Sequence, residues 1–137
     1  MSEPPVPKAP VENPFKGRKG LARLVQAFFS SLAGFRAAFR HEAAFRQEVV
    51  LAVVLLPVAA LVTVTLAERV LLVATVLMLL IVELLNSGIE NAIDRIGPER
   101  HDLSKRAKDM GSAAVLLAIV LLAVSWTMIL LPRWLAP

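Results

Sequence analysis

The chain has 137 residues, no cysteine, 57% apolar residues and a mean hydropathy of +0.67. A soluble domain of this size buries too small a fraction of its surface to hide so much apolar area, and without cysteine there is neither a disulfide framework nor a thiolate metal site. The net charge of +4 would suit a nucleic-acid binder, but the fifteen Lys and Arg residues are distributed in a pattern that belongs to membranes.

The opening stretch "MSEPPVPKAPVENPFKGRKG" has no apolar core and no small-residue cleavage signature, so it is not a signal peptide. Its five prolines and mixed charge predict a disordered extension over residues 1–19, and residues 20–137 form the membrane domain. From Leu21 to Phe39, the residues Leu21, Leu24, Val25, Phe28, Leu32, Phe35 and Phe39 recur at helical spacing, with Arg23, Gln26, Ser30 and Arg40 elsewhere on the wheel. This predicts an amphipathic helix over about 20–40 that lies in the membrane interface, arginines toward lipid phosphates. "HEAAFRQEVV" then leads into the uncharged run Val49–Ala67, and a first span is expected over about 46–67. Pro57 lies inside it and should kink it locally. A short outer loop, "AERV", joins a second span over about 70–94, giving an antiparallel hairpin. Gly97-Pro98 is a helix stop that opens the polar segment "RIGPERHDLSKRAKD". The third span, about 110–132, begins with the small residues of "MGSAAV", which let helix backbones approach closely. Trp126 and Trp134 near its far end suit an aromatic belt. The expected fold is an all-α membrane protein with three transmembrane helices and an N-terminal surface helix.

Eight of the fifteen Lys and Arg precede the first span and five lie between Asp94 and Asp109, leaving only Arg69 and Arg133 in the other flanks. That asymmetry puts the N-terminus and the loop between spans two and three in the cytoplasm, and the C-terminus outside.

The second span carries an expensive feature. Glu83, Asn86, Ser87, Glu90 and Asp94 recur every three or four residues in "VELLNSGIENAIDRIG", so on a helix they form one polar stripe. An ionised carboxylate facing lipid at mid-bilayer costs roughly 3 kcal/mol on insertion scales, so the stripe faces protein or water. Counted from Val70 at about 1.5 Å per residue, Glu83 lies about 20 Å down the helix, inside the inner leaflet. Neutral groups would hold helices together without the charge penalty, so three acids in register point to binding a cation or moving a proton. "RHDLSKRAKD" adds Arg100, His101, Lys105, Arg106 and Lys108 on the same side of the membrane. Acids for a hard divalent cation beside cations for phosphate oxygens make the parts of a nucleotide–metal site. There is no G-x-x-x-x-G-K-[ST] phosphate loop and no protein-kinase signature.

"HEAAFRQE", "VELLNSGIENAIDRIG" and "HDLSKRAKDMGSAAVLLA" together resemble the prokaryotic integral-membrane diacylglycerol kinase family, over about Arg23 to Trp126. The resemblance implies a homotrimer in the bacterial inner membrane that uses MgATP to phosphorylate a lipid hydroxyl at the cytoplasmic interface. It implies Glu83 as catalytic base and Glu42 and Glu90 as ligands of Mg2+. ATP contacts would come from Arg23, Ser30, Glu42, Glu90, Glu99, Arg100, His101, Lys108 and Asp109. Lipid contacts would come from Arg23, Ala27, Phe28, Phe29, Ser30, Ser31 and Leu32, from Arg36, Ala37, Ala38 and Phe39, and from Ala44, Phe45, Arg46, Gln47 and Glu48, with Glu83 and Ser112 completing the set. Asn86 and Asp94 match motif positions as supports. At Ser30 and Leu32 relatives often carry aromatic residues, and Lys105 stands where a small residue is common.

The activity implied is the conversion of diacylglycerol to phosphatidic acid by ATP, with no nucleic acid involved. Two alternatives stand beside it: an undecaprenol kinase of the same family, and a small proton or cation channel using the same intramembrane acids. A channel would pass ions through liposomes without nucleotide; the kinases would label one lipid or the other.

Overall fold

A computed structural model describes residues 20–97 and 101–135. The expected disorder of residues 1–19, and the sites assigned to Glu99 and Arg100, lie outside the described residues. The regular elements are all helical: α1 (Leu21–His41), α2 (Ala43–Leu61), α3 (Leu66–Ile96) and α4 (Asp102–Leu135). The last three are each long and apolar enough to cross a membrane. In such segments most backbone N–H and C=O groups are satisfied within the helix, as a hydrocarbon environment demands.

The chain divides into two compact units, one ending at Phe35 and the other beginning at Arg36. In the first, α1 presents Leu24, Phe28, Leu32 and Phe35 as exposed side chains, the Phe28 and Phe29 rings meet edge-on with centroids 5.9 Å apart, and the Ser31 hydroxyl donates to the Ala27 carbonyl at 3.0 Å.

In the second unit α3 is the central element and packs on both α2 and α4. Its buried residues Leu72, Thr75, Val76, Leu79, Glu83 and Ser87 recur at helical spacing, so one face runs inward along most of its length. The apolar part of that face joins Ala52 and Ala59 of α2 and Trp126 and Ile129 of α4 in one core. Lipid is as apolar as leucine, so close packing rather than expulsion of water holds the helices together. The two alanines let α2 approach.

The outer turn corrects the expected boundaries. α2 stops at Leu61, short of the end predicted near 67, and Ala67 to Val70 belong to α3 rather than to a loop. The physical reason is the capping box in "TLAE": the Glu68 N–H donates to the Thr65 hydroxyl at 3.3 Å while the Thr65 N–H donates to Glu68 Oε2 at 2.8 Å. Arg69 then serves the end of α2, donating to the Ala60 carbonyl at 2.7 Å and the Val62 carbonyl at 3.2 Å. Those carbonyls have no partner within the helix. Arg133 of α4 pairs with Glu68 at 2.7 Å and also donates to the Ile129 carbonyl.

The inner turn differs too. α3 ends at its C-cap Gly97, as the Gly-Pro step predicts, but α4 begins at Asp102. Most of the basic stretch expected as loop is therefore the first two turns of the last helix. His101 Nδ1 accepts the Leu103 N–H at 3.2 Å, satisfying one of the free donors at that terminus. Trp126 is not a belt residue: it is 8% exposed and its indole N–H donates to the Leu72 carbonyl at 3.3 Å. Trp134 is exposed.

Candidate active site

The inward face of α3 changes chemistry between Leu79 and Glu83. Above it the face is apolar but for Thr75, whose hydroxyl donates to the Leu72 carbonyl at 3.0 Å; below it come Glu83, Ser87, Glu90 and Asp94. Burial falls along the same line, from Glu83 at 4% exposure and Ser87 at 5% to a partly covered Glu90 and an Asp94 side chain 67% exposed. The predicted stripe is thus turned toward protein at its deep end and toward the surface at its shallow end. Glu90 and Glu42 lie close enough for their charges to act on Glu83, and Glu83 acts in the same way on Glu48. Four carboxylates share one neighbourhood.

Two amides organise it. Asn86 Nδ2 donates to Glu90 Oε1 at 3.2 Å, across one turn of α3. Asn91 Nδ2 donates to Glu42 Oε1 at 3.0 Å and to the Ser87 carbonyl at 2.7 Å. Glu42 is the N-cap of α2, with extended φ −101° and ψ 117°, but its side chain makes no capping bond. The backbone there breaks α1 from α2 and frees the carboxylate to face α3. Arg46, one turn into α2, donates to the Phe39 and Arg40 carbonyls, both at 3.3 Å, and so ties down the end of α1.

Asn86 also explains the small residue at the start of the third span. Gly111 is buried, and a Cβ built on it would overlap the Asn86 side-chain oxygen. That oxygen is buried and has no hydrogen-bond partner among the described residues. Glycine therefore lets α4 close over the amide that holds Glu90.

Among the described residues, Glu48 is the other residue with a buried side-chain acceptor lacking a partner, through Oε2. It lines a cavity of about 190 Å³ with Gln47 and Leu51 of α2, Leu79 of α3, and Ile119 and Leu122 of α4. The cavity is apolar except at its two polar residues, and Leu79 stands one turn from Glu83 on the same helix face.

The basic residues of α4 divide. Lys108 reaches α3 and pairs with Asp94 at 2.5 Å, and the charge of Glu90 acts on it as well. Lys105 pairs instead with Asp109, 2.8 Å away at i, i+4, so both are engaged along the helix surface. Ser112 follows Gly111 and is exposed, as are Ala113 and Ala114. Of the other predicted lipid contacts in this unit, Ala38 and Phe45 are buried, Gln47 lines the cavity, and Arg36, Ala37, Phe39, Ala44 and Arg46 are exposed. Arg23, Ala27, Phe28, Phe29, Ser30, Ser31 and Leu32 belong to the first unit and are exposed there.

Comparison with known proteins bears on this arrangement. A sequence model described as "Prokaryotic diacylglycerol kinase" matches residues 29–130. A diacylglycerol kinase of Pseudomonas aeruginosa is 59% identical over 119 residues, covering 87% of this chain and 97% of that protein. The diacylglycerol kinase of Escherichia coli K12 is 49% identical over 111 residues, 81% and 91% of the two chains. The chain belongs to the prokaryotic diacylglycerol kinase family. One from Helicobacter pylori, at 40% identity over 85% of this chain, marks a more distant member.

For this member of the prokaryotic diacylglycerol kinase family, the residues that sequence reasoning missed are Asn91 and Gly111. Asn91 lies one position beyond Glu90, about 100° around the helix from it, and so falls outside the three-to-four spacing that defines the stripe. Its signal was only that of a polar side chain near the end of an apolar helix. Gly111 was read as one of several small residues, with nothing to single it out from Ala113 or Ala114.

Proposed function

We propose that this protein is an ATP-dependent diacylglycerol kinase, transferring the γ-phosphoryl group of ATP to the lipid hydroxyl to give phosphatidic acid and ADP. The observation that carries the reading is Glu83: a buried carboxylate where the apolar face of α3 gives way to its acidic end. Family membership, and the name shared by relatives as similar as 59%, support the reaction class. Glu83 takes the proton from the acceptor hydroxyl as that oxygen bonds to the γ-phosphorus and the bond to the bridging oxygen of ADP breaks. The lipid brings its hydroxyl to the interface, so the acceptor need not leave the membrane.

Glu42 and Glu90 fit a hard divalent cation. Each is hydrogen-bonded by a neutral amide through one oxygen, and neither has a cationic partner among the ion pairs of the described residues. Two carboxylates are what Mg2+ asks of a protein, since it uses one or two and completes its shell with phosphate oxygens and water. Bound with ATP, Mg2+ supplies charge neutralisation at the transferring phosphoryl group. His101, Lys108 and Asp109 at the start of α4, with Arg23 and Ser30 on α1, are assigned to the nucleotide. Asn86 and Asp94 support the acids, holding Glu90 and Lys108 in turn.

The distribution of Lys and Arg supports a cytoplasmic N-terminus and an outer C-terminus in the bacterial inner membrane. α1 lies in the interface, where its apolar residues enter lipid. The assembly is a homotrimer; the exposed small residues Ser112, Ala113 and Ala114 of α4 offer a face for close helix approach.

Purified protein given radiolabelled ATP with either diacylglycerol or undecaprenol tests the function. Label in phosphatidic acid is expected. Label in undecaprenyl phosphate alone would reassign the acceptor, and nucleotide-independent ion flux without labelled lipid would overturn the kinase reading.

A further inference from the structure

Asn91 stands outside the acidic stripe, yet it makes the hydrogen bond that joins Glu42 to α3. We infer that Asn91 is a positioning residue for the metal, orienting Glu42 so that one carboxylate oxygen remains directed to a divalent cation. The inference rests on the reading of Glu42 and Glu90 as metal ligands.

Three observations carry it. First, Glu42 lacks the usual employment of an N-cap side chain: it makes no capping bond to α2, and the hydrogen bond it does make, at 3.0 Å, comes from Asn91 Nδ2 on another helix. Second, Asn91 is itself braced. The same Nδ2 donates to the Ser87 carbonyl at 2.7 Å, so the amide cannot swing away from α3 without losing that bond. Third, the arrangement repeats. Asn86 does for Glu90 what Asn91 does for Glu42, each donating to Oε1.

The choice of an amide has a chemical reason. Glu42 and Glu90 each stand within electrostatic reach of Glu83, and like charges repel. A lysine or arginine would hold them more strongly, but its positive charge would compete with the cation for the same carboxylates. A carboxamide supplies a donor without a net charge. It occupies one oxygen and leaves the full negative charge available for the metal. Groups that hydrogen-bond a metal ligand in this way typically change metal affinity by about 10–100-fold when removed.

The test uses the full chain in detergent micelles with Mn2+ in place of Mg2+ and a β,γ-methylene analogue of ATP, so that binding is read without turnover. Free Mn2+ is followed by electron paramagnetic resonance for the parent protein and for Asn91→Ala, Glu42→Gln and the double variant. Asn91→Leu, which has nearly the volume of asparagine but no donor, serves as a second probe should the alanine variant fail to fold. Loss of the amide is expected to weaken Mn2+ binding about tenfold, with Asn91→Ala and Asn91→Leu alike, and to add nothing once Glu42 is glutamine. Turnover of diacylglycerol should show the same displacement along the metal axis and recover at high Mg2+. Mn2+ affinity unchanged in both Asn91 variants would overturn the inference, as would a loss that adds fully to that of Glu42→Gln. If Glu42→Gln itself leaves Mn2+ affinity untouched, the metal reading of Glu42 falls first, whatever Asn91 does.

Discussion

Gly111→Ala is the substitution on which packing and site chemistry meet. The new methyl group would overlap the Asn86 side-chain oxygen, so one of two things must move. If α4 shifts away from α3, the contact made by the central pair of helices loosens, and overpacking of this kind costs about 1–3 kcal/mol. If instead the Asn86 side chain rotates, the hydrogen bond from its Nδ2 to Glu90 is lost, worth about 0.5–1.5 kcal/mol, and Glu90 is freed. Both routes predict lower stability, by about 1–3 kcal/mol for the first and about 0.5–1.5 kcal/mol for the second, but only the second changes metal dependence. Unfolding in mixed SDS micelles gives the first quantity, and the Mg2+ concentration for half-maximal turnover gives the second. Combining Gly111→Ala with Asn86→Ala separates them: removing the clashing amide should restore most of the lost stability while leaving Glu90 unheld. The two losses therefore should not add. A Gly111→Ala protein that unfolds with the parent, and turns over with the parent's metal dependence, would refute the close approach of α4 to Asn86.

Glu83→Gln removes the proposed proton acceptor but keeps the shape, so turnover should fall by about 10²–10⁴-fold while MgATP binding remains measurable by fluorescence of a nucleotide analogue; near-parental turnover would remove Glu83 from the role of base. Trp126→Phe keeps the ring in the core but leaves the Leu72 carbonyl without its indole donor, and a stability loss of about 0.5–1.5 kcal/mol is expected from SDS unfolding. Thr65→Ala breaks the capping box at the outer end of α3 and should cost about 0.5–2 kcal/mol with catalytic constants unchanged; altered turnover would contradict the distance between that cap and the acids.

The helices and their polar stripe were legible because each rests on a periodicity that a linear chain carries openly. Uncharged runs give spans, and acids three or four apart give one face. Boundaries were harder, since they depend on a few side chains rather than on averages. Thr65 and Glu68 ended the apolar run at a point that hydropathy alone cannot see, because both sit within a stretch that remains mostly greasy. The start of α4 was hidden for the opposite reason: charge made Asp102 to Asp109 read as loop, although charged residues make perfectly good first turns of a helix. Trp126 was misread because position along the span was taken as exposure; which side of α4 faces α3 is a property of the packed pair. Glu42 and Asn91 could not be paired from sequence at all. They are 49 residues apart, and only the backbone break at Glu42 turns one toward the other.

That break shows how one chain reconciles two demands that oppose each other. Burying carboxylates in a membrane protein is unfavourable, and burying several together is worse, unless something compensates their charge. An internal cation for each acid would meet the cost, but it would also fill the coordination positions that a metal needs. Here the compensation is graded along α3. At the shallow end Asp94 has a true cationic partner in Lys108, 2.5 Å away and largely in contact with solvent. At intermediate depth Glu90 and Glu42 have amides, which orient them and leave their charge uncancelled. At the deep end Glu83 is buried without a cationic partner among the ion pairs of the described residues, and Glu48 near it presents a buried oxygen that has no partner among those residues. On the proposed function, the stabilisation withheld from these groups would come from a divalent cation and from the hydroxyl of the lipid, so acids that are costly to the free protein would be favourable in its complex with substrates.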